Sequence, residues 1–115
     1  IQDSTGRMFI ANLDGILIYD GAYWDAIPIN GIPYVTYAPD HRVYVTGYNF
    51  FGYIEQLSLG HYEGYNLLKG KTRFSNVGDL KKPIVYKDFV FFVSESSVYA
   101  YDMVNDTLMV FSEFN

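Results

Sequence analysis

One motif recurs three times along this chain, the third time imperfectly. Gly6-Arg7-Met8-Phe9-Ile10-Ala11-Asn12 leads through Leu13-Asp14 to Gly15-Ile16-Leu17-Ile18-Tyr19-Asp20. His41-Arg42-Val43-Tyr44-Val45-Thr46-Gly47 leads through a loop to Gly52-Tyr53-Ile54-Glu55. Asp88-Phe89-Val90-Phe91-Phe92-Val93-Ser94 leads through Glu95-Ser96 to Ser97-Val98-Tyr99-Ala100-Tyr101-Asp102. Anchored on Arg7, Arg42 and Phe89, the copies are spaced by 35 and 47 residues. Each reads as turn, strand, tight loop, strand.

A repeat of roughly 40–50 residues with several strands per unit is the pattern of a β-propeller blade. The fold class expected is therefore all-β: a fragment of a propeller with about three four-stranded antiparallel blades. Residues 1–31 form the first unit, with its first strand missing; residues 32–70 form the second and residues 71–115 the third. In the first unit, Arg7 to Asn12, Ile16 to Asp20 and Tyr23 to Pro28 read as strands around the turns Asp3-Ser4-Thr5-Gly6 and Leu13-Asp14-Gly15. The second unit reads as strands at Tyr34 to Ala38, Val43 to Thr46, Tyr53 to Leu57 and Tyr62 to Leu68. Its loop Tyr48-Asn49-Phe50-Phe51-Gly52 is longer and more aromatic than its counterparts. Gly70 to Lys82 reads as a long connection. Strands follow at Pro83 to Tyr86, Phe89 to Ser94, Val98 to Met103 and Leu108 to Phe114, with Asn105-Asp106 as a hairpin turn. Nothing sustains a helical period, so almost no helix is expected.

Composition agrees. The 115 residues include twelve Tyr and nine Phe, which pack well on pleated surfaces. A net charge of −5 repels phosphates and argues against direct nucleic-acid binding. There is no Cys, so disulfides and thiolate chemistry are excluded. No apolar run approaches the ~18–20 residues of a membrane span. The opening at Ile1 and the incomplete first unit read as a piece of a larger propeller. Three incomplete blades cannot close a ring, so an apolar sheet face is expected at each end, and with it self-association or contact with the remaining blades.

Ile1-Gln2-Asp3 through Gly15-Ile16-Leu17-Ile18-Tyr19-Asp20-Gly21-Ala22-Tyr23-Trp24 resembles the two-component-regulator propeller repeat of bacterial sensors. In that repeat a D-x-x-G-R turn precedes a strand and is followed by a G-[IL]-x-x-[YF]-D-G strand. Phe51-Gly52-Tyr53-Ile54-Glu55, Ser58-Leu59-Gly60 and Tyr65-Asn66-Leu67-Leu68 resemble the next repeat of one subgroup. The third copy departs from the pattern, with Lys87-Asp88 in place of the turn glycine and Ser97 where Gly is usual. The resemblance implies the extracytoplasmic, periplasmic sensing part of an inner-membrane protein. Its parents carry a triple-tyrosine sandwich, a membrane helix and a LuxR-type or histidine-kinase output module. It implies a non-enzymatic role in signal transduction and, from polysaccharide-sensing relatives, a carbohydrate ligand.

In a propeller, loops between second and third strands converge over the channel mouth. This marks Asn12-Leu13-Asp14, Tyr48-Asn49-Phe50-Phe51 and Glu95-Ser96. Aromatic faces beside amides and carboxylates suit sugars, because CH groups stack on rings while polar edges bond hydroxyls. The candidate ligand-binding residues are therefore Asn12, Asp14, Tyr48, Asn49, Phe50 and Phe51. The competing reading is that these aromatics only pack, against the blade edge or a neighbouring unit. Trp24 reads either as a platform or as packing between outer strands.

Asp14, Asp20 and Asp25 lack a readable orienting partner for acid–base work. His41 and His61 are too few and too scattered for a metal site. No catalytic residue, cofactor or metal is expected. Asn105-Asp106-Thr107 matches a glycosylation acceptor, but a turn explains it. The basic cluster Lys69, Lys71, Arg73, Lys81 and Lys82 reads either as a surface for an acidic partner or anionic polysaccharide or, needing no partner at all, as a solvated connection. A structural or protein-interaction propeller is the second functional reading, and a propeller lyase or glycosidase the third.

Overall fold

The computed structural model describes residues 1–68, 77–95 and 97–112. The described residues are all-β. Eleven strands form three antiparallel sheets, each a meander in chain order. The first sheet holds β1 (Met8–Asn12), β2 (Gly15–Tyr19) and β3 (Trp24–Pro28). The second holds β4 (Tyr34–Tyr37), β5 (Val43–Gly47), β6 (Phe50–Ser58) and β7 (His61–Asn66). The third holds β8 (Ile84–Tyr86), β9 (Phe89–Val93), β10 (Ser97–Asp102) and β11 (Thr107–Ser112). None of the sheets closes on itself.

The sheets stack face to face, with the second in the middle. Phe9, Ile16, Ile18 and Ile27 pack against Val35, Val43, Val45 and Ile54 of the second sheet. On its other side, Tyr44, Phe51 and Tyr53 pack against Val90, Phe92, Tyr99 and Tyr101 of the third. Strand β5 is thus buried along its whole length. Alternate residues of a strand point to opposite faces, so its unbroken Val-Tyr-Val-Thr run supplies Val43 and Val45 to one core and Tyr44 to the other. Two threonines, Thr46 buried and Thr36 half-buried, tie the second sheet to the segment that leads into the third: Thr46 donates to the Lys81 carbonyl at 2.9 Å and Thr36 to that of Pro83 at 3.1 Å.

The turn entering each second strand needs a left-handed residue, and each copy supplies it differently. Gly6 has φ 89°, His41 φ 67° and Lys87 φ 53°. The missing turn glycine of the third copy therefore changes the residue but not the backbone. In the first copy Asp3 organises the turn. Its Oδ1 accepts from the Thr5 amide and hydroxyl and from the Arg7 amide, and its Oδ2 takes Arg7 Nε at 2.6 Å. In the second, Asp40 accepts from the Arg42 amide and, at 2.6 Å, from the Tyr44 hydroxyl.

Ahead of β1, Gln2 makes an isolated bridge to Met8 and Ile1 exchanges two backbone hydrogen bonds with Phe9, beside a first sheet of three strands. Two expectations need correction. The supposed loop Tyr48 to Gly52 is a two-residue turn. Gly47 pairs with Phe50, so Phe50 and Phe51 already belong to β6. Trp24 packs against no neighbouring sheet; it stacks on Tyr19 of its own sheet at 4.4 Å and is 60% exposed. Tyr23 makes the inter-sheet contact instead, its ring lying where a side chain on Gly60 would be. The connection at 69–76, with Lys69, Lys71 and Arg73, lies outside the described residues, as do Ser96 and 113–115.

Candidate functional site

The β1–β2 and β5–β6 turns lie at one end of the stack. At the β1–β2 turn, Asn12 Oδ1 accepts the Asp14 amide at 2.9 Å, so the Asn12 side chain serves the turn. Asp14 is exposed beside it. At the β5–β6 turn, the Tyr48 amide donates to the Asn30 carbonyl at 2.7 Å. Asn49 takes a left-handed φ of 53°. It clasps Gly78 twice, donating its amide to the Gly78 carbonyl at 2.8 Å and accepting the Gly78 amide on Oδ1 at 2.7 Å. Tyr48 also forms a backbone bridge with Asp79.

The aromatic run is therefore split by the pleat. Phe50 packs into the core between the first and second sheets. Phe51, fully buried, stacks on Phe92 at 4.5 Å and meets Tyr99 at 5.1 Å. Tyr48 keeps an exposed ring. The structure brings Tyr48 and Asn49 together with Gly78 and Asp79, but it leaves Asn12 and Asp14 on a separate turn.

Beside Tyr48 and Asn49 lies an open cleft of about 940 Å³. Its lining includes Ile32 and Tyr34, Asp79 and Lys81, and Ser94 and Glu95. Asp79 links turn and cleft: its backbone pairs with Tyr48, and its carboxylate lies within reach of Gly31. One aromatic, two acidic and one basic residue thus line the same cleft. Tyr34, Asp79 and Lys81 were not among the candidates read from sequence, where Asp79 and Lys81 fell in a connection and Tyr34 opened an ordinary strand. Glu95 was marked by its loop position.

At the opposite end a smaller cleft of about 450 Å³ is lined by Arg7, Asp20, Tyr23, Gln56 and Tyr62, among others. Arg7, Asp20 and Tyr62 among its lining already have partners. Arg7 pairs with Asp3 and lies 5.5 Å from the Phe9 ring and 5.6 Å from that of Tyr62. Asp20 Oδ1 accepts the Ala22 and Tyr23 amides, and these backbone bonds hold its carboxyl below the usual range. Burial and the bond to Asp40 push the Tyr44 phenol far up, and burial with the bond to Asp106 does the same for Tyr101. Both serve as neutral structural donors.

No protein-family model, curated protein or solved structure matches this chain.

The site thus stands on its own geometry. Among the described residues there is no grouping of three or more His, Asp or Glu that could hold a metal. The Asp25 carboxylate accepts the Ala26 amide at 2.9 Å and the Tyr62 amide at 2.8 Å, whereas Asp14 contributes only its backbone amide to its turn. His41 meets the Tyr37 hydroxyl at 3.0 Å in an exposed turn.

Proposed function

We propose that the three sheets are successive blades of a β-propeller and that the chain is a non-enzymatic sensing segment that binds carbohydrate. The setting is the periplasmic part of a membrane-spanning bacterial signalling or transcription regulator, as the repeat's resemblance implies. Three consecutive meanders stacked face to face support the propeller reading, since a ring is built from such sheets. Further units of the same kind would stack on the outer sheets, and no nucleic-acid contact is assigned to this acidic segment.

The observation that carries the ligand is the cleft. On this reading Tyr34 would offer an apolar face for sugar CH groups and the lining residues Asp79, Lys81 and Glu95 would bond hydroxyls. Binding need only favour one of two orientations of the propeller to bias an output module. Isothermal titration with a panel of neutral and acidic oligosaccharides tests this. Saturable binding that is lost in Tyr34→Ala and Asp79→Ala is expected. Heats no different from buffer across the panel would remove the carbohydrate.

One observation favours a second reading, a structural or protein-interaction propeller without a small ligand: Phe50 and Phe51 are spent on packing. On that reading the same titrations stay flat while a protein partner protects Tyr48.

A further inference from the structure

The two outer faces of the stack are unlike each other, and the repeat register says how they relate. Met8, Val43 and Val90 occupy one repeat position, and Ile10, Val45 and Phe92 another, at the same 35- and 47-residue steps. Val43, Val45, Val90 and Phe92 point at the preceding sheet and are at most 2% exposed. Met8 and Ile10, on which no described sheet packs, are 44% and 41% exposed. Phe9, Tyr44 and Phe91 occupy the position that points at the following sheet. Phe9 and Tyr44 are buried, whereas Phe91 has no sheet after it and is half-buried.

So the first sheet shows the surface that elsewhere in this chain receives a preceding sheet. Met8, Ile10 and Trp24 are exposed on it, backed by Leu17 and Tyr19. The third sheet shows the surface that elsewhere receives a following one, with Ile84, Phe91, Met109 and Phe111 in cross-strand register through Ala100 and Val98. Each is an uncharged apolar row of the sort monomeric proteins rarely leave open.

We propose that these faces are the two halves of one interface, and that a second copy of this chain occupies them head to tail. The third sheet of each copy packs on the first sheet of the other, continuing the internal step between sheets. Two copies of three sheets would close a ring of about six, inside the range of roughly four to eight known for propellers. Closure repeats the contact twice and leaves no apolar face outside, which an open chain of copies cannot do. The proposal rests on the propeller reading, but its failure is separable: sugar titrations do not bear on it, nor oligomeric state on the sugar.

The experiment is sedimentation velocity with light scattering on the intact chain and two variants, Ile10→Asp and Met109→Asp. Both side chains are exposed in the single copy, and circular dichroism checks that each variant keeps its strand signal. The expected result is a dimer for the parent chain and a monomer for each variant alone. An equimolar mixture of the two variants should regain a dimer, since one of its two contacts pairs an unaltered first sheet with an unaltered third. A parent chain that stays monomeric would overturn the proposal and reserve these faces for other units. Loss of association in only one variant, or no recovery on mixing, would overturn the head-to-tail arrangement. Growth into ever larger species with concentration would overturn closure.

Discussion

Phe51 and Phe92 lie face to face, their ring centroids 4.5 Å apart and their planes 17° from parallel. They join the second sheet to the third, and both are fully buried. Truncating Phe51 to Ala removes a buried ring and leaves a cavity between two sheets. The expected loss is about 3–5 kcal/mol, read as a fall in urea midpoint with an unchanged slope. A loss under about 1 kcal/mol would mean that the two sheets do not share this core.

Thr46 tests the polar side of the same contact. Its hydroxyl is buried and donates to the Lys81 carbonyl. Thr46→Val keeps the shape but strands that carbonyl, at a cost of about 1–3 kcal/mol. Native-state hydrogen exchange should show the β8 edge opening first, while the first sheet keeps its protection. Equal loosening of all three sheets would contradict a local clasp.

Acid sensitivity follows from Asp3. Burial alone would raise its carboxyl, but the hydrogen bonds from Thr5 and Arg7 and the charge of Arg7 outweigh it and hold it below 3.8. The folded state therefore binds fewer protons than the unfolded one. Its contribution is complete above the unfolded value and is lost as pH falls through the folded one. Asp20 and Asp102 are lowered in the same direction by turn hydrogen bonds. Asp3→Asn should destabilise at neutral pH by about 1–3 kcal/mol, because an amide cannot replace a carboxylate against Arg7. It should also flatten the acid limb of stability against pH, measured by urea unfolding at stepped pH. An acid limb as steep as in the parent chain would show that Asp3 does not carry it.

Gly52 lies directly against the backbone of β7. A Cβ there would fall 1.8 Å from the Tyr65 carbonyl oxygen, which is backbone and cannot step aside. Gly52→Ala should cost about 2–3 kcal/mol or part the two strands. Full retention of the parent melting temperature would contradict the close approach.

Much of the fold was legible because the repeat fixes both strand order and face. The apolar run Val43 to Thr46 announces a strand buried on two sides, and the Asx-type turn at Asp3 announces its own hydrogen bonds. The aromatic segment at Tyr48 was misread as a loop because consecutive aromatics look like an exposed cluster. The pleat instead sends Phe50 and Phe51 into opposite cores, and left-handed Asn49 lets the turn close in two residues. Asp79 was invisible for another reason. Its place beside Tyr48 comes from a non-local pairing that no local pattern encodes. Trp24 reads from sequence as a platform or as packing between outer strands; it stacks on Tyr19 on a face that no other described sheet covers.

The most direct measurement is amide chemical-shift mapping of the isotopically labelled chain during titration with oligosaccharides. If the cleft end is the recognition surface, shifts concentrate at Tyr34, Tyr48, Asp79 and Glu95, and the turn around Asp3 and Arg7 stays still. Shifts confined to the Arg7–Tyr62 end, or none with any oligosaccharide, would contradict a carbohydrate-sensing role for this segment.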